Sequence, residues 1–332
     1  MQKPDYKNWV PKSMVIGLGA ATAASASLSL LFGTSDRILK GKPRQIAAAA
    51  FGAATPVLLF YTAWMGALHS AFDYNGTRKL AKTIVDGTAE YVTLPDGGTG
   101  LDVGCGSGAL TIACAKRNPR AQMLGCDIWS GAYKAVFTKK RCEENAKAEG
   151  VANVRFEEGN AVHLPFPDES FDAVTSNYVY HNIAGQNKQA LLLETLRVLK
   201  KGGTFAIHDL MSKARYGDMD AFVRKLKAEG YEDVRLIDTT DGRFIGRKEA
   251  VLLGLGGSTL PVGRKQEEGK KENDQDSAEN RRHDVRYVRG SYLRHDPKGR
   301  PGCEEGECLS WTWQGIFSDG RSDRRSGPEG CH

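Results

Sequence analysis

No charge of one sign dominates this sequence. Its 46 Lys and Arg against 40 Asp and Glu leave +6 over 332 residues, too little to argue for nucleic acid on charge alone. No collagen-like, coiled-coil or wholly disordered composition is present either, with 40% hydrophobic and 26% charged residues, 38 Gly and 12 Pro. Cysteine is sparse and odd in number. The seven thiols fall as Cys105, Cys114, Cys126 and Cys142 in an apparent core and Cys303, Cys308 and Cys331 near the end. That scatter follows no small-domain disulfide framework, so the folded part is expected to hold reduced thiols in a cytosolic setting. Cys303, Cys308, Cys331 and His332 match no closed tetrahedral spacing, and no metal site is expected.

Charge itself is missing from two stretches. No residue between Lys12 and Asp36 is charged; at about 1.5 Å per residue a helix there reaches across a hydrocarbon layer of about 30 Å. Gln45 to Phe72 also lacks Asp, Glu, Lys and Arg, and with Val57, Leu58, Leu59, Phe60, Tyr61, Trp64, Met65 and Leu68 it is the richer span. Residues 1–72 therefore read as a membrane anchor with candidate transmembrane helices at 13–35 and 45–72; a pair of Ala-rich soluble helices is the other reading. A cleaved signal is disfavoured because a second apolar run follows at once. Gly17, Ala21 and Ser25, spaced by four, predict a face on which two helices approach closely. Pro56 is expected to kink the second helix. Two spans put the N-terminus and everything after residue 72 on one side of the membrane. The positive-inside rule leaves the side open: Arg37, Lys40, Lys42 and Arg44 in the loop face Lys3, Lys7, Lys12, Arg78, Lys79 and Lys82 on the flanks.

From about Asn75 to Ser258 short apolar strands alternate with amphipathic helices, the pattern of a parallel sheet covered on both faces. Strands are expected near 98–103, 122–127, 154–158, 171–176, 203–209, 234–238 and 250–255. Helices are expected at 77–91, 110–118, 132–148, 188–199 and 218–228, with Gly150, Gly202 and Gly230 as stops. Residues 262–332 carry 14 basic and 14 acidic residues without a clear period. A disordered polar tail is expected there.

The chemistry concentrates at Leu101-Asp102-Val103-Gly104-Cys105-Gly106-Ser107-Gly108, an apolar strand running into alternating glycines and then a helix. Glycine suits a sharp strand-to-helix turn where a ligand touches backbone. Alone it also fits a dinucleotide fingerprint. Further features narrow it. Asp127 ends the second strand, where a carboxylate accepts from ribose hydroxyls; Glu158-Gly159-Asn160-Ala161 closes the third; Leu164-Pro165-Phe166-Pro167-Asp168 leads through Phe171-Asp172-Ala173-Val174 into the fourth; and Arg197-Val198-Leu199-Lys200-Lys201-Gly202-Gly203 turns into the fifth.

With these motifs in this order, residues 75–258 resemble the class I S-adenosylmethionine-dependent methyltransferases, nearest the ubiquinone and menaquinone C-methyltransferases and related small-molecule enzymes. The resemblance implies an α/β fold, a doubly wound, mostly parallel seven-stranded sheet over 73–261 whose last strand inserts antiparallel. It implies S-adenosylmethionine as cofactor, held by Asp102 and the Gly104, Cys105, Gly106 and Gly108 loop at its methionine part. Asp127, with Ile128, is implied at the ribose, and Asn160 and Ala161 at the adenine. Asn160 stands where the family often has Asp, and its amide oxygen still accepts a hydrogen bond. Asn177 is implied where methionine and acceptor meet. The segment Asn177-Tyr178-Val179-Tyr180-His181-Asn182 lacks the Asn-Pro-Pro-Tyr type of sequence seen in amino-directed nucleic-acid methyltransferases, so no nucleic-acid partner is expected.

Alignment and exclusion of water carry most of such a transfer. His181 is the candidate general base, with a loop-capping role as its other reading; Tyr178 and Tyr180 are candidates to wall the pocket or orient the acceptor. His163 reads as a loop residue, and His208 and Asp209 as a strand-end cap, with Asp209 facing the acceptor as its other reading. The expected protein is a membrane-anchored methyltransferase, catalytic domain toward the cytoplasm, acting on a small and lipophilic acceptor. The rival readings are a nicotinamide-dependent oxidoreductase and a non-catalytic cofactor-binding scaffold.

Overall fold

The computed structural model describes residues 3–129 and 137–267. The described residues belong to one compact unit. The tail beyond Glu267, with its cysteines, His332 and aromatic residues, lies outside the described residues, as does 130–136.

Seven strands, β1 (Thr99–Val103), β2 (Gln122–Asp127), β3 (Val154–Glu158), β4 (Phe171–Asn177), β5 (Leu199–Leu210), β6 (Tyr231–Asp238) and β7 (Ser258–Lys265), form one sheet in the order β3-β2-β1-β4-β5-β7-β6. β1 to β5 pair in parallel and β7 inserts antiparallel between β5 and β6. The order reverses between β1 and β4, and in such sheets the crevice outside the carboxyl ends of those strands is where ligands bind. Both faces are covered. β1 and β4 read as almost uninterrupted buried runs for that reason.

Helices fill the connections: α1 (Lys12–Thr34), α2 (Gly41–Phe72), α3 (Leu80–Ala89), α4 (Ala109–Arg117), α5 (Lys139–Ala148), α6 (Lys188–Arg197), α7 (Lys213–Tyr216), α8 (Met219–Ala228) and α9 (Arg247–Leu252). Three start on side-chain caps that satisfy a free N–H of the first turn. Thr138, Asn187 and Asp218 accept from Arg141, Ala190 and Ala221 N at 3.2, 3.2 and 2.9 Å.

Two expectations are corrected here. The apolar run 250–255, expected as the last strand, instead ends α9 with its first half and turns with the rest, Ala250 buried while Val251 and Leu252 face outward; the strand follows the Gly256–Gly257 turn and carries the sheet to Lys265, past the boundary drawn at 261. Gly202, expected to stop a helix, sits instead with φ +78° in an irregular part of β5, where the register against β4 shifts.

α1 and α2 are the two described helices long and apolar enough to cross a membrane, by length and composition. They pack as a hairpin through hydroxyls: Thr22 Oγ1 lies 2.9 Å from Thr62 Oγ1, Ser25 Oγ donates to Phe51 O at 3.0 Å, and Ser29 Oγ donates to Ala48 O at 3.0 Å. The close face is therefore Thr22-Ser25-Ser29, and of the expected stripe Gly17 lies off it, with nothing near its Cβ position. α2 runs through Pro56 without interruption. Its 32 residues extend about 48 Å at about 1.5 Å each, and its last residues Leu68, Ala71 and Phe72 bury in the sheet domain's core.

Candidate functional site

The carboxyl ends of β1, β2 and β4 open into a cavity of about 690 Å³. At its floor β1 gives way to Gly104. Its φ is +74°, and a Cβ there would come within 2.4 Å of Val179 Cγ2, so both the turn and the packing of the neighbouring loop require glycine. Gly104 and Cys105 N–H donate to Cys126 O at 2.8 and 3.0 Å, tying the loop to β2. Asp127, ending β2, accepts from Gly106 N at 2.9 Å through Oδ2 and from Trp129 N at 2.8 Å through Oδ1. The loop's shape and that carboxylate are thus one structure. Trp129 Nε1 adds a bond to Gly106 O at 3.0 Å.

Asp102 is buried on β1 and lines the same floor. Burial pushes its carboxyl up to about 7 against the hydrogen bond from Thr111 Oγ1 at 2.6 Å, with the nearby Asp127 charge pushing the same way. Two carboxylic groups therefore share a cavity in which, among the described residues, no Lys or Arg takes part in the lining.

On the far wall the chain leaves β4 through Asn177 and Tyr178. Tyr178 has φ +55°, in the left-handed region that costs a bulky side chain about 1–2 kcal/mol. Its hydroxyl lies 2.6 Å from Ser258 Oγ and its ring meets that of His208 at 4.7 Å, tilted by 34°, so the ring walls the cavity while the hydroxyl turns to the core. Burial pushes that hydroxyl's pKa up. His208 is fully buried, with Nδ1 2.8 Å from Asn177 Oδ1 and Nε2 3.0 Å from the hydroxyls of Thr239 and Ser258. Desolvation lowers its pKa to about 3, and the neutral ring donates to Asn177 and fixes that amide.

His181 follows in a single 3-10 turn, Tyr180–Asn182. Its Nδ1 lies 2.5 Å from Asp209 Oδ1, and Asp209 is fully buried at the end of β5. Burial raises the Asp209 carboxyl, but the His181 hydrogen bond and charge and the N–H groups of Leu210 and His181 together hold it below the usual carboxylate range. Tyr216 OH donates to its Oδ2 at 2.9 Å. With Nδ1 engaged, Nε2 is the ring nitrogen His181 has left for the cavity it lines.

Of the expected cofactor contacts, Asp102, Gly104, Cys105, Gly106, Asp127, Ile128, Asn160, Ala161 and Asn177 all line this cavity, as do Tyr178 and His181. Two residues do not. Gly108 begins α4 with its Cβ position facing Phe156 and Cys142. Tyr180 is fully buried, its hydroxyl 2.6 Å from Thr195 Oγ1 among the side chains behind β4; the catalytic expectation for it is corrected to packing. Asn160 Oδ1 accepts from Val162 N at 2.9 Å, which holds the loop it sits in. His163 is exposed, 3.7 Å from Glu194.

Trp9, Val10, Phe72 and Leu255 also line the cavity, and Asp209 stands behind His181. Sequence reasoning missed the first four, and the cap it expected at Asp209 is a partnership with His181. Only the flanking position of Trp9 and Val10 beside an apolar span hinted at a surface role.

Residues 101–207 match the family described as "Methyltransferase domain". A demethylmenaquinone methyltransferase of Geobacillus stearothermophilus is 31% identical over 160 residues, 45% of this chain and 65% of the relative. An uncharacterized methyltransferase of Bacillus subtilis is 37% identical over 113 residues, 33% of this chain and 39% of the relative. The chain thus spans a little under two thirds of the first relative's length and less of the second. Among solved structures, the [4+2]-cyclase SpnF is similar at 21% identity and a TM-score of 0.44, covering 59% of this chain and 85% of that one. Phosphoethanolamine N-methyltransferase 2 of Haemonchus contortus, solved with S-adenosyl-L-methionine, is similar at 17% and 0.41, covering 58% and 53%.

Proposed function

We propose, for a chain that carries a class I methyltransferase domain, that it moves a methyl group from S-adenosylmethionine to a lipid-soluble acceptor at a membrane surface. One observation carries the cofactor assignment. Two carboxylic groups, Asp102 and Asp127, meet a positive-φ glycine loop at the sheet's switch point, and no described Lys or Arg lines the cavity. That charge pattern suits a ligand bearing a sulfonium and an ammonium. It opposes the pyrophosphate of a nicotinamide dinucleotide, the rival reading.

When bound, S-adenosylmethionine supplies an electrophilic methyl on a positively charged sulfur. The chain's own residues do the rest. Asp102 and the Gly104–Gly106 backbone would hold the methionine part, Asp127 the ribose, and Ile128, Asn160 and Ala161 the adenine side. Asn177, oriented by His208, would lie where the methionine part and the acceptor meet. Tyr178, Leu210 and Leu255 exclude water, which strengthens alignment and blocks hydrolysis. His181 Nε2 accepts the proton an acceptor hydroxyl or ring carbon must lose, and Asp209 fixes the tautomer that leaves Nε2 free and stabilises the imidazolium so formed. That pairing favours an acceptor with an acidic proton, which a reduced quinone ring has.

The relatives named demethylmenaquinone methyltransferase and the apolar α1–α2 hairpin support a lipid-soluble acceptor and membrane attachment. The domain would face the cytoplasm, where S-adenosylmethionine is made. The test uses full-length protein in phosphatidylcholine nanodiscs, methyl-labelled S-adenosylmethionine and reduced demethylmenaquinone. Label is expected in the lipid-soluble product, with the rate about a hundredfold lower and its pH dependence flattened in Asp209→Asn. Label appearing only in water-soluble acceptors would remove the lipid link.

A further inference from the structure

Part of the cavity wall comes from the ends of the apolar hairpin: Val10 just ahead of α1 and Phe72 at the end of α2. Ahead of α1, Lys3–Pro11 crosses the sheet domain as a strap. Asp5 N donates to Asn145 Oδ1 at 2.7 Å and Asn145 Nδ2 donates back to Asp5 O at 3.2 Å, while Arg141 Nη1 meets Asp5 Oδ2 at 2.7 Å. Tyr6 is buried, its hydroxyl donating to Glu149 Oε1 at 3.0 Å and its ring 4.5 Å from Tyr74. Asn8 Nδ2 donates to His69 O at 2.6 Å, and His69 Nδ1 lies 2.7 Å from Val10 O. The strap is therefore clamped to α5 and to the end of α2 on both sides of Trp9. Asn145 also donates to Ser107 O at 3.0 Å, so one buried amide holds strap and glycine loop together.

The clamp sets Trp9 and Val10 into the cavity wall. The Trp9 ring lies 5.4 Å from Phe72 and edge-on to Tyr178 at 5.7 Å, and Tyr178 is 5.9 Å from the His181 ring. Both apolar helices leave from this rim: α1 starts two residues after Val10, and Phe72 is the last residue of α2. Exposed Val251 and Leu252 lie alongside, where Trp64 Nε1 donates to Leu252 O at 2.7 Å. Indole rings favour the level where hydrocarbon meets headgroups.

We propose that the anchor builds the acceptor subsite: Trp9 is its specificity-determining wall, and a ring-bearing amphiphile enters the cavity from the bilayer past Trp9. Its ring lies against Trp9 and Tyr178 within reach of His181, and its tail follows the hairpin. This rests on the methyl-transfer reading of the same cavity. A water-soluble acceptor gains nothing from walls that begin where the spans begin; an amphiphile keeps its tail in hydrocarbon while only the ring changes surroundings.

The test is photo-labelling of the full chain in phosphatidylcholine nanodiscs. The probes are a benzophenone carrying a hexadecyl chain and tail-less 4-benzoylbenzoate, with adducts mapped by mass spectrometry. The tailed probe is expected on the lining residues Val179, His181, Asn182, Ile183 and Leu255, and the tail-less one on none of them. Trp9→Ala is expected to lower that labelling about tenfold, the loss of a ring contact of about 1.4 kcal/mol, and Trp9→Phe to keep it. Adducts confined to the outer faces of α1 and α2, or cavity labelling unchanged by Trp9→Ala, would overturn the subsite. Calorimetric titration of S-adenosylmethionine into the same discs separates the two readings. Wild type that takes up none removes the methyl-transfer reading, while the labelling still reads the subsite. Uptake by Trp9→Ala shows that its loss of labelling belongs to the wall; if Trp9→Ala takes up none, Val10→Ala supplies the same comparison.

Discussion

Asp102 is an acid held up to about 7 by burial, in a cavity that no described Lys or Arg lines. A raised carboxyl is neutral below its folded pKa and costs folding free energy once ionised, so its contribution to stability declines as pH rises from the unfolded value near 3.8 to about 7. Ligand binding runs the other way. A cation favours the ionised form, so affinity for S-adenosylmethionine is expected to climb with pH up to about 7 and level off above it, with proton release in the climbing range. Calorimetry in buffers of different ionisation enthalpy reads this directly, and Asp102→Asn should flatten the slope. Gly104→Ala faces both a positive φ and a contact at 2.4 Å with Val179; overpacking of that kind costs about 1–3 kcal/mol, and the melting temperature and the cofactor affinity should fall together. The alternating glycines and Asp127 were legible in the sequence because a turn and a strand end are local features. Asp209 and Trp9 were not, since each gains its role from a partner far along the chain: His181 for the one, Phe72 and Tyr178 for the other.

Elements whose burial follows a simple period were legible almost to the residue. β2 and β3 fall where the pattern puts them: β2 as a continuous apolar run buried on both faces, and β3, at the sheet edge, because Val154 and Phe156 alternate with exposed charged residues. The run at 250–255 is too short for periodicity to separate helix from strand, and tertiary packing of Ala250 against the core made it α9. In the hairpin, composition told that small residues mattered, but not which face they occupied. Thr22, Ser25 and Ser29 meet α2, and a Cβ at Gly52 would already stand 3.1 Å from Ser29 Oγ. Gly52→Leu is therefore expected to lower the hairpin's unfolding free energy by about 1–3 kcal/mol, whereas Gly17→Leu, with open space around it, should leave it unchanged. Steric-trap or thermal unfolding in the same discs compares the two, and equal effects would refute the assigned face.

At the scale of the whole molecule, strap, hairpin and sheet domain share one core: Tyr6, Leu68, Ala71 and Phe72 pack in the same cluster as α3, α4 and α9. A fragment cut at residue 73, the natural boundary from hydropathy, would expose that cluster and remove Trp9 and Val10 from the cavity. Residues 73–267 are accordingly expected to melt well below the full chain and to bind S-adenosylmethionine more weakly, which differential scanning calorimetry and titration check side by side. The full chain should stay with membranes through an alkaline carbonate wash, and release into the wash would count against the anchor.

S-adenosylmethionine titrated into the full chain in nanodiscs at pH 8, above the Asp102 transition, bears most directly on the whole account. Saturable binding of one molecule per chain is predicted, weakened at least about tenfold by Asp127→Ala, with no heat from NADH. Silence toward S-adenosylmethionine, or saturable binding of NADH in its place, would contradict it.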